Sequence, residues 1–179
     1  MDLSFAWLVQ LIFFILPAWL SNSSPVLLGG VWPIDRGRIA GDGRPIFGRG
    51  KTWLGFFAAL SVGSLAAVLE AHFLPGTQFD IWNGSVRNYL LGGFLLSLGA
   101  MLGDFAGSFV KRRLGQKEGS SSFVLDQLTF LIVALALVLP LSPPMLSLEG
   151  IAVLVVLTYF AHRVANWWAH TAGLKKVPW

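Results

Sequence analysis

Five apolar stretches divide this chain. Positions 3–20 carry no charge, with Ser4 and Gln10 as the polar side chains, and 52–69 is a second uncharged run. Positions 88–110 are interrupted by Asp104 alone, and 123–141 by Asp126 alone. The last, from Gly150 to His162, is uncharged but shorter, with Arg163 and His170 in its continuation. A helix that crosses a bilayer needs about 20 mostly apolar residues. The pattern therefore predicts an all-α, polytopic membrane protein with five transmembrane helices, at about 3–20, 52–73, 88–110, 123–141 and 148–170.

Composition agrees. The 179 residues are 55% hydrophobic and 12% charged, with mean hydropathy +0.67, whereas soluble domains carry about 25% charged residues. Too little charge is present to cover a water-facing surface, so a multi-pass protein of the cell membrane is expected, folded as one domain over 1–179. Positions 3–20 are flanked by Met1-Asp2 and not by a basic segment, so they read as a span and not as a signal peptide. The absence of cysteine excludes disulfides, zinc–thiolate sites and cysteine nucleophiles. Twelve of the 13 basic residues fall in the first connection, the third connection and the C-terminal part, leaving Arg87 alone on the other side. The positive-inside rule then predicts an external N-terminus, a cytoplasmic C-terminus, and cytoplasmic loops at 21–51 and 111–122.

The two aspartates carry the candidate chemistry. A charge at membrane depth costs at least a few kcal/mol and normally faces a bundle interior or a polar cavity. Asp104 precedes Lys111 by seven residues, roughly 10 Å at 1.5 Å per residue, and Asp126 lies about one turn inside the next span. The short connection makes these helices antiparallel neighbours, so both carboxylates fall just under the same membrane surface. Asp104, Ser108 and Lys111 share one helix face. Gly99, Gly103 and Gly107 form an adjacent ridge with the small-xxx-small spacing that lets helices approach closely. Paired carboxylates beside cations suit a divalent metal, Mg2+, together with a phosphate ligand, the cations neutralising phosphoryl charge. A structural ion pair between helices is the competing explanation.

The segment GDFAGSFVKRR, followed by Gly119 and DQLTF, resembles the signature of the CDP-archaeol synthases, archaeal relatives of the phosphatidate cytidylyltransferases. Ser108-Phe-Val-Lys111-Arg112 is similar to the Ser-x-x-Lys-Arg opening of the wider cytidylyltransferase signature. The chain lacks the His-Gly-Gly continuation and reads Asp126-Gln127-Leu-Thr129, a departure that favours the archaeal branch. The resemblance implies that CTP reacts with an isoprenoid dialkylglycerol phosphate to form CDP-archaeol and pyrophosphate. It implies Asp104 and Asp126 as magnesium ligands, Lys111 as a catalytic cation, and Ser108, Arg112 and Arg113 near nucleotide phosphate. CTP, the lipid and the bilayer are the expected partners; nucleic acid is not.

The first connection, 21–51, holds seven glycines, three prolines and five basic residues. Its end, GDGRPIFGRGKTW, is not a Walker motif, because Pro45 stands where glycine is required. Closely spaced glycines still expose backbone N–H groups. Gly41, Gly43, Arg44, Arg49, Lys51 and Thr52 are therefore candidate phosphate contacts, with Asp42 holding metal or orienting an arginine. The alternative is a basic loop that sets topology and touches anionic headgroups. His162, Asn166 and His170 are expected to bond between helices or reach the interface, the alternative being that they line the cavity. Trp167, Trp168 and Trp179 are expected as interfacial anchors, and Lys175 and Lys176 beside headgroups. A small transporter would spread polar groups across the membrane depth. A CDP-alcohol phosphotransferase, another membrane phospholipid-synthesis transferase, would show a longer run of aspartates.

Overall fold

The computed structural model describes residues 4–28, 30–120, 122–141, 143 and 145–174, the side chains at 123 and 124 excepted. Leu3, Lys175, Lys176 and Trp179 lie outside the described residues. The helices are α1 (Phe5–Ser23), α2 (Pro25–Leu28), α3 (Trp53–Phe73), α4 (Val86–Arg113), α5 (Phe123–Val138, prolonged by a 3-10 turn Leu139–Leu141) and α6 (Leu148–Thr171). Hydroxyl caps start four of them. The side-chain oxygens of Ser4, Thr52, Ser85 and Ser147 accept the N–H of Trp7, Gly55, Asn88 and Gly150, filling backbone donors that have no partner within the helix. At α5 the device is reversed: Asp126 Oδ2 reaches back to accept the Ser122 N–H at 2.8 Å.

Four helices, counting α1 with α2 as one, are long and apolar enough to cross a bilayer, and α5 is a shorter apolar helix. Among the described residues there is no strand beyond two isolated bridges, Pro33 with Thr52 and Ile39 with Pro45. The apolar side chains are distributed as a bilayer requires. Leu65, Phe73, Ile132, Val156 and Phe160 are each more than half exposed, which is ordinary only where lipid replaces water.

Helix α4 is the hub, packed on α5, α3 and α1, while α6 packs mainly on α1 and α5. The glycine ridge explains the closest of these contacts. A Cβ at Gly99 would lie 2.5 Å from Ala134 Cα, and one at Gly103 would lie 2.5 Å from Phe130 Cα. Nothing larger than hydrogen fits. Leu96, Ala100, Phe130, Leu131, Ala134 and Val138 are buried around the ridge.

Two expectations shift. Helix α4 runs on to Arg113, so Lys111, Arg112 and Arg113 form its last turn and not the start of a loop. There they also complement the helix dipole. The first connection, in turn, is built: after α1 and α2 its backbone folds on itself through the bonds described next.

Candidate active site

Asp35 organises the first loop. Its carboxylate accepts the N–H of Gly37 at 2.9 Å, Phe47 at 3.0 Å and Gly48 at 2.9 Å, tying the two arms of the loop together. Burial alone is the largest influence and would push its pKa up; the three amides together outweigh it and hold the group below the ordinary carboxylate value. Gly48 must be glycine: φ is +101° and a Cβ would meet the Glu118 carboxylate at 2.7 Å. Between these arms, residues 39–45 form a hairpin whose tip is GDGR. Its Gly43 N–H bonds to Ala40 C=O, and the Arg44 N–H bonds to Asp42 Oδ1 at 3.2 Å. The tip amides at 43 and 44 are thus already engaged, and Gly41 is exposed beside them.

This loop is docked on the end of α4. Arg113 pairs with Asp42 at 2.7 Å and donates to the carbonyls of Arg44 and Pro45, while Arg44 donates back to the Arg113 carbonyl at 2.5 Å. Asp42 orients an arginine, one of its two expected roles. From the third connection, Glu118 accepts the Arg49 N–H at 3.2 Å. Phe47 sits against Phe105 and Phe109 on α4.

Docking carries Lys51 to Asp104. Its ammonium bonds both carboxylate oxygens, at 2.7 and 2.6 Å. Lys111 in turn pairs with Asp126 across α4 and α5. Each predicted acid therefore meets a predicted base, and the pairs are only partly exposed. Ser108 and Arg112 are buried on α4; Arg112 donates to the Lys117 carbonyl at 3.0 Å, and its Nε has no partner among the described residues. Gln127 beside Asp126 is buried with an unpartnered Oε1. Thr52 is occupied as the cap of α3 and also accepts the Gly30 N–H. Arg49 is exposed. His162, Asn166 and His170 lie on α6, and His162 meets the Phe130 ring. Among the described residues no group of three or more His, Cys, Asp or Glu side chains converges.

Sequence reasoning missed Asp35 and Glu118. The Asp-x-Gly step at 35–37 is a turn signal that could have marked the first. Nothing local marks Glu118, whose partners are 69 or more residues away.

Residues 4–179 match the family model described as CarS-like: CDP-archaeol synthase. The chain is 45% identical over 168 residues to the CDP-archaeol synthase of Thermococcus gammatolerans, covering 94% of each chain. It is 42% identical over 168 residues to that of Methanococcus aeolicus, covering 93% of each. A solved structure reported as an intramembrane enzyme for archaeal membrane lipids biosynthesis superposes with TM-score 0.76 at 36% identity, over 87% of this chain and 91% of that one. With the family model matched over 4–179 and relatives more than 40% identical along nearly the whole length of both chains, the chain belongs to the CarS-like family of CDP-archaeol synthases.

Proposed function

We propose that this cytidylyltransferase joins CTP to 2,3-bis-O-(geranylgeranyl)-sn-glycerol 1-phosphate, releasing pyrophosphate and forming CDP-archaeol. The observation that carries the site assignment is the double ion pair, Lys51 with Asp104 and Lys111 with Asp126. On this reading the chain is one enzyme domain crossing the bilayer five times, α5 included, with its N-terminus outside. Loops 21–51 and 111–122 then face the cytoplasm, where CTP is.

A lipid phosphate oxygen attacks the α-phosphorus of CTP; a new P–O bond forms, and the bond to the bridging oxygen of the β-phosphate breaks. The lipid phosphate is already ionised, so no general base is needed. What the reaction needs is to hold two polyanions together. The donor set fits magnesium: Asp104 and Asp126 offer hard carboxylate oxygens, and each already holds a cationic ammonium. When bound, the metal would neutralise phosphate charge and polarise the reacting phosphoryl group. Lys51 and Lys111 act as resident counter-ions: they hold the acids in position, then turn to the nucleotide phosphates as these arrive. Arg44 and Arg113 lock the loop onto α4, and Ser108 and Arg112 supply buried polar contacts next to Lys111.

The test is pyrophosphate release by the purified protein in detergent, with CTP, magnesium and a geranylgeranylglycerol phosphate. Wild type should release pyrophosphate in step with a CDP-lipid product, and Asp126→Asn should not. Full activity in that variant would overturn the carboxylate assignment, and no product from wild type would overturn the reaction.

A further inference from the structure

A cleft of about 700 Å³ opens in the first loop, lined by Trp32, Pro33, Arg36, Gly37, Arg49 and Trp53. Its walls come from two distant pieces of the loop that the backbone pins together. Trp53 N–H donates to the Trp32 carbonyl at 3.0 Å, Ile34 N–H donates to the Lys51 carbonyl at 2.9 Å, and Pro33 bridges to Thr52. Trp32 and Trp53 thereby line one cleft although 21 positions apart. Trp32 (φ 59°) and Arg36 (φ 51°) both adopt the left-handed conformation, which side-chain-bearing residues rarely enter. Backbone cost of this kind persists where the surrounding structure demands it, and often at ligand sites.

The chemistry of the lining is specific. Trp32 is 71% exposed and Trp53 42%. Of the cations around the loop, Lys51, Lys111 and Arg113 are engaged with carboxylates and Arg44 and Arg112 with carbonyls, whereas Arg38 and Lys117 do not line the cleft. Among the described residues, no carboxylate pairs with Arg36 or Arg49. Arg49 is nevertheless held, because Glu118 grips its backbone N–H and leaves the guanidinium to the cleft. Two available guanidinium groups on fixed backbone are a receptor for a phosphate.

The surroundings point to the source of that phosphate. Trp53 stacks on Phe57, ring centroids 6.0 Å apart, and Leu54 and Phe57 continue an exposed apolar face down α3. On the adjoining α2, which packs on α3, Val26, Leu27 and Leu28 are exposed as well. The cleft is thus continuous with a lipid-facing wall, and indoles are favoured at that depth, with one face in hydrocarbon and a polar edge in headgroups. Arg49 and Trp53 each stand two residues from Lys51, about 7 Å of extended chain, and Lys51 reaches Asp104.

We propose that this cleft binds the phosphate headgroup of the lipid substrate, an assignment that rests on the cytidylyltransferase reading above. Arg36 and Arg49 hold the phosphate, and Trp32 and Trp53 flank the glycerol and the first carbons of the ether-linked chains. The remaining chains follow α2 and α3 into the bilayer. The nucleotide is left to Lys51 and Lys111, and Lys51 stands at the boundary where the two phosphates meet.

The experiment uses the full chain in detergent with three probes: a short-chain dialkylglycerol phosphate, the matching dialkylglycerol without phosphate, and CTP with magnesium. Binding is measured by calorimetry, and KM for each substrate in the pyrophosphate assay. Arg36→Gln and Arg49→Gln should each weaken lipid-phosphate binding and raise its KM at least tenfold. Dialkylglycerol binding should be unchanged, and CTP affinity should stay within about twofold. Trp32→Ala should weaken both lipids, with Trp32→Phe restoring most of the loss and showing that the loop still folds. Loss of CTP affinity with intact lipid affinity would overturn the proposal and make the cleft a nucleotide subsite. Unchanged affinity for both would overturn it outright. Should wild type bind the lipid phosphate through Arg36 and Arg49 yet make no product, the cleft would stand and the reaction assignment would fall.

Discussion

Partly buried acids occur at both ends of this helical bundle, and they are satisfied in opposite ways. At one end Asp104 and Asp126 are each matched by a lysine. At the other, Asp80 is held by neutral donors fixed in the backbone and in a buried ring. It accepts the Tyr89 hydroxyl at 2.9 Å and the N–H groups of Trp82 at 3.1 Å and Gly76 at 3.4 Å. Tyr89 also accepts the Ile81 N–H at 3.1 Å, and Gln10 donates to the carbonyls of Gln78 and Asp80. A lysine can swing away and be replaced by a metal or pulled to a phosphate. An amide cannot. Partial burial of an acid therefore does not mark a site; exchangeable counter-ions do.

The sharpest way to break this contrast is to neutralise one acid at each end. Asp104→Asn should lower turnover at least about a hundredfold, the scale of losing one electrostatic contact to a reacting charge, with little loss of folded protein. Asp80→Asn should leave turnover per folded molecule near wild type. Equal catalytic losses would erase the distinction.

Next in size is the packing that brings the lysine-matched acids to one end. Gly103→Val would drive a side chain into the Phe130 backbone and should destabilise the protein by about 3 kcal/mol, read as a lower melting temperature in detergent with activity falling in parallel. An unperturbed melting curve would mean that α4 and α5 are less closely apposed than the approach of Gly103 to Phe130 requires.

Counter-ion exchange predicts opposite signs from one substitution. Lys111→Ala should weaken CTP binding about tenfold, on the scale of one charge-assisted hydrogen bond. It should also strengthen manganese binding in the absence of nucleotide, because Asp126 loses its competitor; titration followed by electron paramagnetic resonance would check this. Weakening of both would make Lys111 a purely structural partner.

At the Asp80 end, Tyr89→Phe should cost about 1–2 kcal/mol by removing a donor to a partly buried acid, without changing KM for either substrate. The smallest effect is in pH. For Asp80, burial is the largest influence and opposes ionisation, but the hydrogen bonds from Gly84, Tyr89, Trp82 and Gly76 prevail and lower its pKa. Asp35 behaves likewise. Both have folded values below the ordinary 3.8. Their contribution is thus fully present above that pH and lost as pH falls through the lowered folded values. Asp80→Asn and Asp35→Asn should flatten the acid limb of a stability profile measured from pH 5 downward, only the latter loosening the first loop.

By itself the sequence determined the helices and marked the two acids within them. Apolar runs of spanning length are dictated by the bilayer, which tolerates no unbonded backbone, and their limits came out within a few residues for α3, α5 and α6. Asp104 and Asp126 were legible because a charge in such a run is costly enough to require a reason. The glycine ridge was legible because four-residue spacing is a property of any α-helix. Tertiary structure alone decided which cation answers which acid. Lys51 is 53 positions from Asp104 and Arg113 is 71 from Asp42, and no periodicity relates a loop to the helix on which it docks. It also decided that Thr52 is a cap, that the GDGR tip spends its amides on itself, and that Trp32 and Trp53 share a cleft with Arg36 and Arg49. Those outcomes rest on long-range backbone bonds organised by one buried carboxylate, Asp35. Its three partners lie 2, 12 and 13 residues away, a pattern that only the folded loop assembles.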